Sequence, residues 1–484
     1  MNTLKRGEAS PYQLTTELDA ADEIRSQAQY LQRAEGLVLE LKSRLGRVPS
    51  ACVVTFGCQM NARDSEKISG VLEQAGFEMT EREEADLVVY NTCTVRDNAN
   101  QRVYGRLGAL HAMKKKNPEK MIALCGCMVQ EPSVIEKIKE SYRFVNLIFG
   151  THNIYKFPEL LCRMLESSEM TVDVWNKTDA VVETLPVVRK YPFKSGVNIM
   201  FGCDNFCTYC IVPYVRGRER SRASAEILEE IRRLSADGVT EIMLLGQNVN
   251  SYGNGIPGEL SFPQLLQEAE KIGGIRRIRF MTSHPKDLSD ELIEVMARSE
   301  KICRHLHLPV QSGSTEILRR MNRKYTREDY LALVSRLRSA IPDLSLTTDI
   351  IVGFPGETDA DIDDTVSLVR EVHYDNAFTF IYSPRTGTPA ASFEKTMTDE
   401  EIGVGFQRVL EAVQDEAKKN VARFAGTTGE VLVEDRNEKD PSLVTGRLSN
   451  NVLVHFPGDA SMIGSYRMVK LKENRGFYYI GELV

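Results

Sequence analysis

The sequence predicts an α/β protein in three successive folded parts: an N-terminal parallel α/β domain, a central partial (β/α)6 barrel and a small C-terminal all-β barrel. Three observations predict it. From residue 50 to about 168, short apolar runs alternate with helix-like segments, the pattern of a parallel sheet with crossover helices. Between about 189 and 420, six strand-like runs are each followed by a helical pattern. From about 421 the chain changes to short β runs, Glu430 to Val433, Val452 to Phe456, Tyr466 to Leu471 and Phe477 to Ile480, separated by Gly and Asn turns, which reads as a small barrel.

Composition sets the bounds. At 484 residues and 42% hydrophobic content the chain has material for several packed cores. No stretch approaches the roughly 18 uninterrupted apolar residues of a membrane span, and Met1 to Ser10 lacks a signal-peptide core, so a cytoplasmic protein with no membrane partner is expected. Ten cysteines then read as metal ligands and buried thiols rather than disulfides. A net charge of −7 argues against a generally polyanion-binding surface. Any nucleic acid is expected to be held by a local basic patch.

Residues 1–49 are polar, with Leu18, Ile24, Leu31, Leu37, Leu41 and Leu45 at roughly helical spacing before the Pro49 breaker. One amphipathic helical extension is expected there, packed on the body or linking to a partner.

In the α/β domain, strands are expected at Val53 to Phe56, Leu87 to Tyr90, Met121 to Leu124 and Leu147 to Phe149, with helices at Ile68 to Ala75, Val103 to Met113, Val134 to Lys139 and Phe157 to Leu165. Cys58, Cys93 and Cys127 stand where the first three strands stop, about 35 residues apart. The carboxyl ends of parallel strands line a ligand crevice, so the three thiols are expected to converge as a metal-ligand set. Cys125 lies two residues before Cys127, and along an extended strand both point to one face. Cys127 is preferred as the ligand because it is nearer the strand end. Cys52, Cys162 and Cys303 have no partner spacing and read as packed thiols.

The six central runs are Val197 to Phe201, Glu241 to Leu245, Arg277 to Met281, His305 to Pro309, Leu346 to Val352 and Phe378 to Tyr382. In such a barrel the chemistry sits at the C-terminal strand ends. There stand Cys203, Cys207 and Cys210 as CxxxCxxC, then Gly246-Gln-Asn-Val-Asn-Ser-Tyr-Gly253, Ser283 with His284, Gln311-Ser-Gly-Ser314 and Gly353-Phe-Pro-Gly-Glu357. An electron-transfer [4Fe-4S] cluster takes four Cys ligands; three thiolates on one loop leave one iron open to a small molecule. Zinc would favour paired CxxC halves. The open position points to an enzyme. Arg216, Arg218, Arg220 and Arg222 follow at every second residue, either as a solvated face or as partners for a carboxylate or RNA phosphates.

The cysteine loop and its position after the first strand resemble the radical S-adenosylmethionine (radical SAM) superfamily. The resemblance implies that the open iron chelates SAM, that an electron cleaves it to a deoxyadenosyl radical, and that Gly246 and Gln247, with Gln311, Asp349 and Gly353, contact SAM. The segment Thr445-Gly-Arg-Leu-Ser-Asn-Asn-Val-Leu-Val-His-Phe456 resembles the TRAM domain, an RNA-binding module. Residues 421–484 carry eight Lys and Arg against eight Asp and Glu, so RNA contact would need Arg447, His455, Arg467 and Lys470 on one face. With Thr55-Phe-Gly-Cys-Gln-Met-Asn61, Asn91-Thr-Cys-Thr-Val-Arg96, Cys207 to Arg222 and His307-Leu-Pro-Val-Gln-Ser-Gly-Ser314, the chain resembles the methylthiotransferase family after residue 50.

Beyond the helical extension at 1–49, which is not part of the shared pattern, that resemblance implies a methylthiotransferase N-terminal domain at 50–168, a radical SAM core at 189–420 and a TRAM domain at 421–484. It implies two [4Fe-4S] clusters, one on Cys58, Cys93 and Cys127 and one on Cys203, Cys207 and Cys210, with SAM as cosubstrate. The implied reaction methylates a cluster sulfur, then delivers methylthio to C2 of N6-dimethylallyladenosine at position 37 of tRNA by radical C–H chemistry. Implied partners are a tRNA anticodon stem-loop and a small electron donor such as a flavodoxin or ferredoxin. Relatives acting on threonylcarbamoyl-adenosine or a ribosomal-protein aspartate, and a non-catalytic iron-sulfur RNA-binding or electron-transfer protein, are the competing expectations.

Overall fold

The computed structural model describes residues 17–94, 97–178 and 181–484. Contacts divide the chain into two units, Met1–Lys190 with Val212–Arg220, and Tyr191–Ile211 with Ser221–Val484.

The first unit opens with α1 (Glu17–Leu45) and continues β1 (Ser50–Thr55), α2 (Gln59–Gln74), β2 (Glu78–Met79), β3 (Leu87–Thr92), α3 (Asp97–Lys116), β4 (Met121–Gly126), α4 (Pro132–Ser141), β5 (Leu147–Phe149), α5 (Phe157–Glu166) and β6 (Thr171–Asp173). The strands form one parallel sheet in the order β2-β1-β3-β4-β5-β6. Every residue of β3 and β4 is buried, because helices cover both faces of a parallel sheet and leave no polar side. One face packs Ile68, Val71, Leu87, Val89 and Phe149, and the other Val88, Tyr90, Val103, Leu107 and Ile148. The chain moves outward from β1 to β2 on one side and to β3 on the other, so the switch point lies between β1 and β3.

In α1 the buried stripe is Leu31, Ala34, Val38 and Leu41, packed on α5, while Ile24 is exposed. The side chain of Leu18 lies outside the described residues. The helix ends at Leu45 because Gly46 takes φ +68°, ahead of Pro49. Short helix Val212–Val215, here α6, also belongs to this unit.

The second unit contains strands β7 (Lys194–Asn198), β8 (Glu241–Leu245), β9 (Arg277–Phe280), β10 (His305–His307), β11 (Ser345–Val352) and β12 (Asn376–Ile381). They pair in parallel as β9-β8-β7 and β10-β11-β12. A parallel bridge between Ile278 and Ile302 joins the halves into an open six-stranded arc. Helices α7 (Ser224–Ala236), α8 (Phe262–Glu270), α9 (Asp290–Arg298), α10 (Thr315–Arg320), α11 (Arg327–Ala340), α12 (Asp359–Val372) and α13 (Asp399–Val421) alternate with the strands. Ser261, Thr326, Thr358 and Thr398 open α8, α11, α12 and α13 with reciprocal capping boxes. The expected first strand is corrected from Val197–Phe201 to Lys194–Asn198. Pairing against Glu241–Leu245 fixes its register, and Met200–Phe201 lie beyond it.

The chain closes with β13 (Thr428–Arg436), β14 (Leu443–Arg447), β15 (Leu453–Pro457), β16 (Tyr466–Asn474) and β17 (Tyr478–Leu483). They form a closed barrel in the order β13-β14-β15-β17-β16 around Val431, Val444, Val454, Phe456 and Tyr479. Strand β14 was not among the sequence expectations. The barrel is seated by two arginines of β9. Arg277 donates to the Arg447 carbonyl (2.8 Å), and Arg279 to those of Leu448 (2.9 Å) and Ser449 (3.1 Å), with Nε on Glu241 at 3.1 Å. No described helix is long and apolar enough to cross a membrane.

Candidate metal and cofactor sites

In the first unit Cys58 is the N-cap of α2, Cys93 follows β3 and Cys127 follows β4. Cys58 and Cys93 therefore flank the switch point, with Cys127 at the next strand end. Two glycines permit this. Gly57 has φ +121°, and a Cβ there would stand 2.9 Å from the Cys93 sulfur; Gly126 has φ +96°, and a Cβ would stand 2.2 Å from the Thr92 carbonyl. Gly126 also separates the neighbouring thiols. Cys127 leaves the strand with φ −69° and ψ −33°, while Cys125 stays in β4 among Leu87, Val89 and Phe149. The shared face expected of an extended run therefore does not exist.

Asn61 ties the three positions together. It is fully buried, and Nδ2 donates to the carbonyls of Phe56 (3.1 Å) and Thr92 (2.8 Å) and to Asn91 Oδ1 (3.2 Å). Its Oδ1 accepts from Cys58 Sγ (3.5 Å) and from Arg216 (2.9 Å). Arg216 also donates Nε–H to Cys127 Sγ at 3.4 Å and pairs with Asp64 at 3.0 Å. Burial pushes the Cys127 thiol up to about 11 against the pull of the Arg216 guanidinium, with Cys93 and Cys58 near enough to add to the rise. Burial works against the charge on Arg216, but Cys127 and Asp64 more than offset it and its pKa is raised.

In the second unit Cys203, Cys207 and Cys210 lie on one loop after β7. Cys207 is buried, Cys203 and Cys210 half-buried. Residues 320–323 pin that loop: Thr208 bonds the carbonyls of Met321 (3.0 Å) and Arg320 (2.9 Å), and Asn322 donates to that of Phe206 (3.0 Å). Arg323 donates to Cys207 Sγ at 3.5 Å, to the Pro309 carbonyl at 2.7 Å and to Tyr325 Oη at 2.8 Å.

Gly246 and Gln247 directly follow β8, and Gly353 follows β11. Gln311, at φ +75°, exchanges backbone bonds with Asp349 and Ile351. Asp349 lies within β11 rather than after it, its carboxylate 3.4 Å from His307. Glu357 accepts from the Gly353 N–H, and burial pushes its carboxyl up to about 7 against that bond. The rim also holds buried polar atoms with no hydrogen-bond partner among the described residues: both side-chain amide atoms of Asn250, Asn248 Oδ1 and Ser283 Oγ.

Residues 50–150 match Uncharacterized protein family UPF0004, 197–369 the Radical SAM superfamily and 422–484 the TRAM domain. A tRNA-2-methylthio-N(6)-dimethylallyladenosine synthase of Lachnoclostridium phytofermentans is 59% identical over 92% of this chain and 98% of that one. A synthase of the same name from Alkaliphilus oremlandii is 50% identical over 94% and 97%. The chain belongs to the radical SAM tRNA methylthiotransferases. Among solved structures, the radical S-adenosylmethionine methyltransferase TsrM of Kitasatospora setae shares the fold, with a TM-score of 0.50, 15% identity, and coverage of 71% of this chain and 75% of that one. Membership makes the chain an enzyme that uses SAM and a [4Fe-4S] cluster.

The donor sets fit such groups. Each set offers three cysteine thiols, the ligand type a [4Fe-4S] cubane takes, with one iron left for another ligand. The partnerless amide and hydroxyl atoms of Asn250, Asn248 and Ser283 suit a small polar ligand such as SAM. The four arginines are not one face. Arg216 turns to the first cysteine set, Arg220 donates to the carbonyls of Thr178 and Arg216, Arg218 is exposed, and Arg222 pairs with Glu230 at 2.7 Å. Helix α6 and the left-handed Gly217 break the extended geometry that alternation requires. Asn61, Asp64 and Arg323 were not singled out in the sequence: the first two stand on α2 and the third in the turn between α10 and α11, with no spacing to the cysteines that marks them. In the C-terminal barrel, Arg447 and His455 share neighbouring strands, but Arg467 and Lys470 lie on β16, which pairs with neither.

Proposed function

We propose that this methylthiotransferase acts on C2 of N6-dimethylallyladenosine at position 37 of tRNA, with domains at 50–168, 189–420 and 421–484 behind a helical extension at 1–49. The observation that carries the reading is the meeting of Cys58, Cys93 and Cys127 beside Arg216, in a chain that separately presents the CxxxCxxC loop. Cys203, Cys207 and Cys210 would hold the cluster that leaves a corner for SAM, and Cys58, Cys93 and Cys127 a second cluster. Bound there, these groups would supply radical hydrogen abstraction and a methylated sulfur, which an inert aromatic C–H bond requires.

The protein's own residues have separable roles in this reading. Gly246, Gln247, Gln311, Asp349 and Gly353, with the Asn250 amide and Asn248 Oδ1, would orient SAM. A radical centre at the strand ends would need water kept out of it. The anticodon stem-loop must deliver an unstacked base, at a cost of a few kcal/mol, with the C-terminal barrel as RNA contact. A flavodoxin- or ferredoxin-type donor would supply electrons, and the work would be done in the cytoplasm.

The test is mass spectrometry of bulk tRNA from a strain lacking this gene, with and without the plasmid-borne chain. Loss of 2-methylthio-N6-dimethylallyladenosine on deletion and its return on complementation are expected. Unchanged levels, or loss of a methylthio-threonylcarbamoyl nucleoside instead, would overturn the substrate. A chain that forms no 5'-deoxyadenosine from SAM with strong reductant would be a binding protein.

A further inference from the structure

We infer that Arg216 is a positioning residue of the first cysteine site, holding the Cys127 sulfur by an N–H···S bond and thereby setting the reduction potential of the cluster bound there. The inference rests on the reading that Cys58, Cys93 and Cys127 hold a cluster, and adds to it a residue that is not itself a ligand.

The guanidinium is fixed on three sides. Arg216 is 5% exposed, with Nε on Cys127 Sγ and one terminal nitrogen shared between Asn61 Oδ1 and Asp64 Oδ2. Asp64 is itself 2% exposed and lies 3.9 Å from Lys67, which pairs with Glu183 at 2.5 Å. These two carboxylates and two cations balance, so the arginine is compensated before any cluster binds, and a salt bridge alone would not require a nitrogen on the sulfur. The second unit repeats the device with unrelated surroundings: Arg323 donates to Cys207 Sγ while a backbone carbonyl and Tyr325 hold its other nitrogens. Each three-cysteine set thus has one buried arginine bonded to one of its sulfurs.

Hydrogen bonds and charges at the ligating sulfurs are principal determinants of cluster potential. A buried cation donating to a thiolate stabilises the electron added on reduction, and a carboxylate beside that cation opposes it. Arg216 and Asp64 should therefore move the potential in opposite directions. A merely structural pair would not.

The experiment uses the full chain with Cys203, Cys207 and Cys210 replaced by alanine, reconstituted anaerobically. Iron and sulfide are counted first, and a protein retaining none would overturn the second-cluster reading itself. With about four irons retained, redox titration followed by electron paramagnetic resonance is compared for the parent, Arg216→Met, Arg216→Lys and Asp64→Asn. Arg216→Met should shift the midpoint to more negative potential, Arg216→Lys should recover part of that shift, and Asp64→Asn should shift it to more positive potential. A midpoint unchanged in Arg216→Met, or a shift of the same sign in Arg216→Met and Asp64→Asn, would overturn the inference. If Arg216→Met fails to hold iron, Arg216→Lys and Asp64→Asn decide it by the same opposition of sign.

Discussion

Asn61 spends its amide group on Phe56, Asn91 and Thr92 and its carbonyl oxygen on Cys58 and Arg216. Replacing it by leucine leaves several buried polar groups unsatisfied, so a stability loss of about 1–3 kcal/mol is expected by denaturant titration, and under the proposed two-cluster reading the iron of that unit should be lost with it. Glu357 makes a different prediction. Its folded pKa of about 7 stands above the ordinary 4.5, so the folded state binds the proton more tightly and the group's contribution is complete below about pH 4.5. That contribution is lost as pH rises to about 7. Glu357→Gln should flatten the slope in this window and be more stable than the parent at pH 8 by up to about 3 kcal/mol, read from denaturation midpoints across pH. The cysteines were legible because ligand chemistry restricts both residue type and spacing. Asn61, Asp64 and Arg323 were not, since Asn, Asp and Arg serve equally well on a solvated helix or turn and only the fold brings them to a thiol.

At the level of the element, the turn after β4 decides which thiol faces the site. Gly126→Ala must relieve a 2.2 Å contact and a left-handed backbone; under the proposed two-cluster reading it should lose the iron of the first unit while that of the CxxxCxxC loop remains, as iron analysis would reveal. For the same reason Cys127→Ala should lose about four irons and Cys125→Ala none, since Cys125 is packed among Leu87 and Phe149. The parallel strands of the first unit were readable as short apolar runs, whereas those of the second, such as Arg277–Phe280 and His305–His307, carry polar residues and were readable from their alternation with helical patterns; strand ends were less legible in both. Strand β14 escaped because Gly446 and Arg447 occupy a five-residue strand, and glycine erases the alternation that marks a strand. The stop of α1 was misplaced because Pro49 is the stronger written signal, whereas Gly46 acts through its dihedral angle.

Across the molecule, the net charge of −7 and the balanced C-terminal barrel say nothing of RNA, and membership in a tRNA-modifying family came from motifs rather than from electrostatics. What charge does visibly organise is the seat of that barrel in the second unit, where Arg277 and Arg279 satisfy its carbonyls around buried Glu241. Burial and these cations act oppositely on that carboxyl, and the cations hold it below its usual range. Arg279→Leu leaves Glu241 undercompensated and takes the arginine's bonds from the Leu448 and Ser449 carbonyls, of which that of Leu448 keeps the Asn451 N–H, so a loss of about 3 kcal/mol is expected in thermal or chemical unfolding. Arg279→Lys, unable to fork between two carbonyls, should recover only part of it.

The first unit is discontinuous: its last piece, Val212–Arg220, is encoded after Tyr191–Ile211 of the other. A ribosome that has released only the opening 190 residues has therefore made the thiols and Asp64 but not the guanidinium that Asp64 awaits. Maturation of that pocket must trail synthesis, and a fragment cut at Lys190 would carry a stranded buried anion and an unguarded sulfur where the complete polypeptide has a neutral, closed corner.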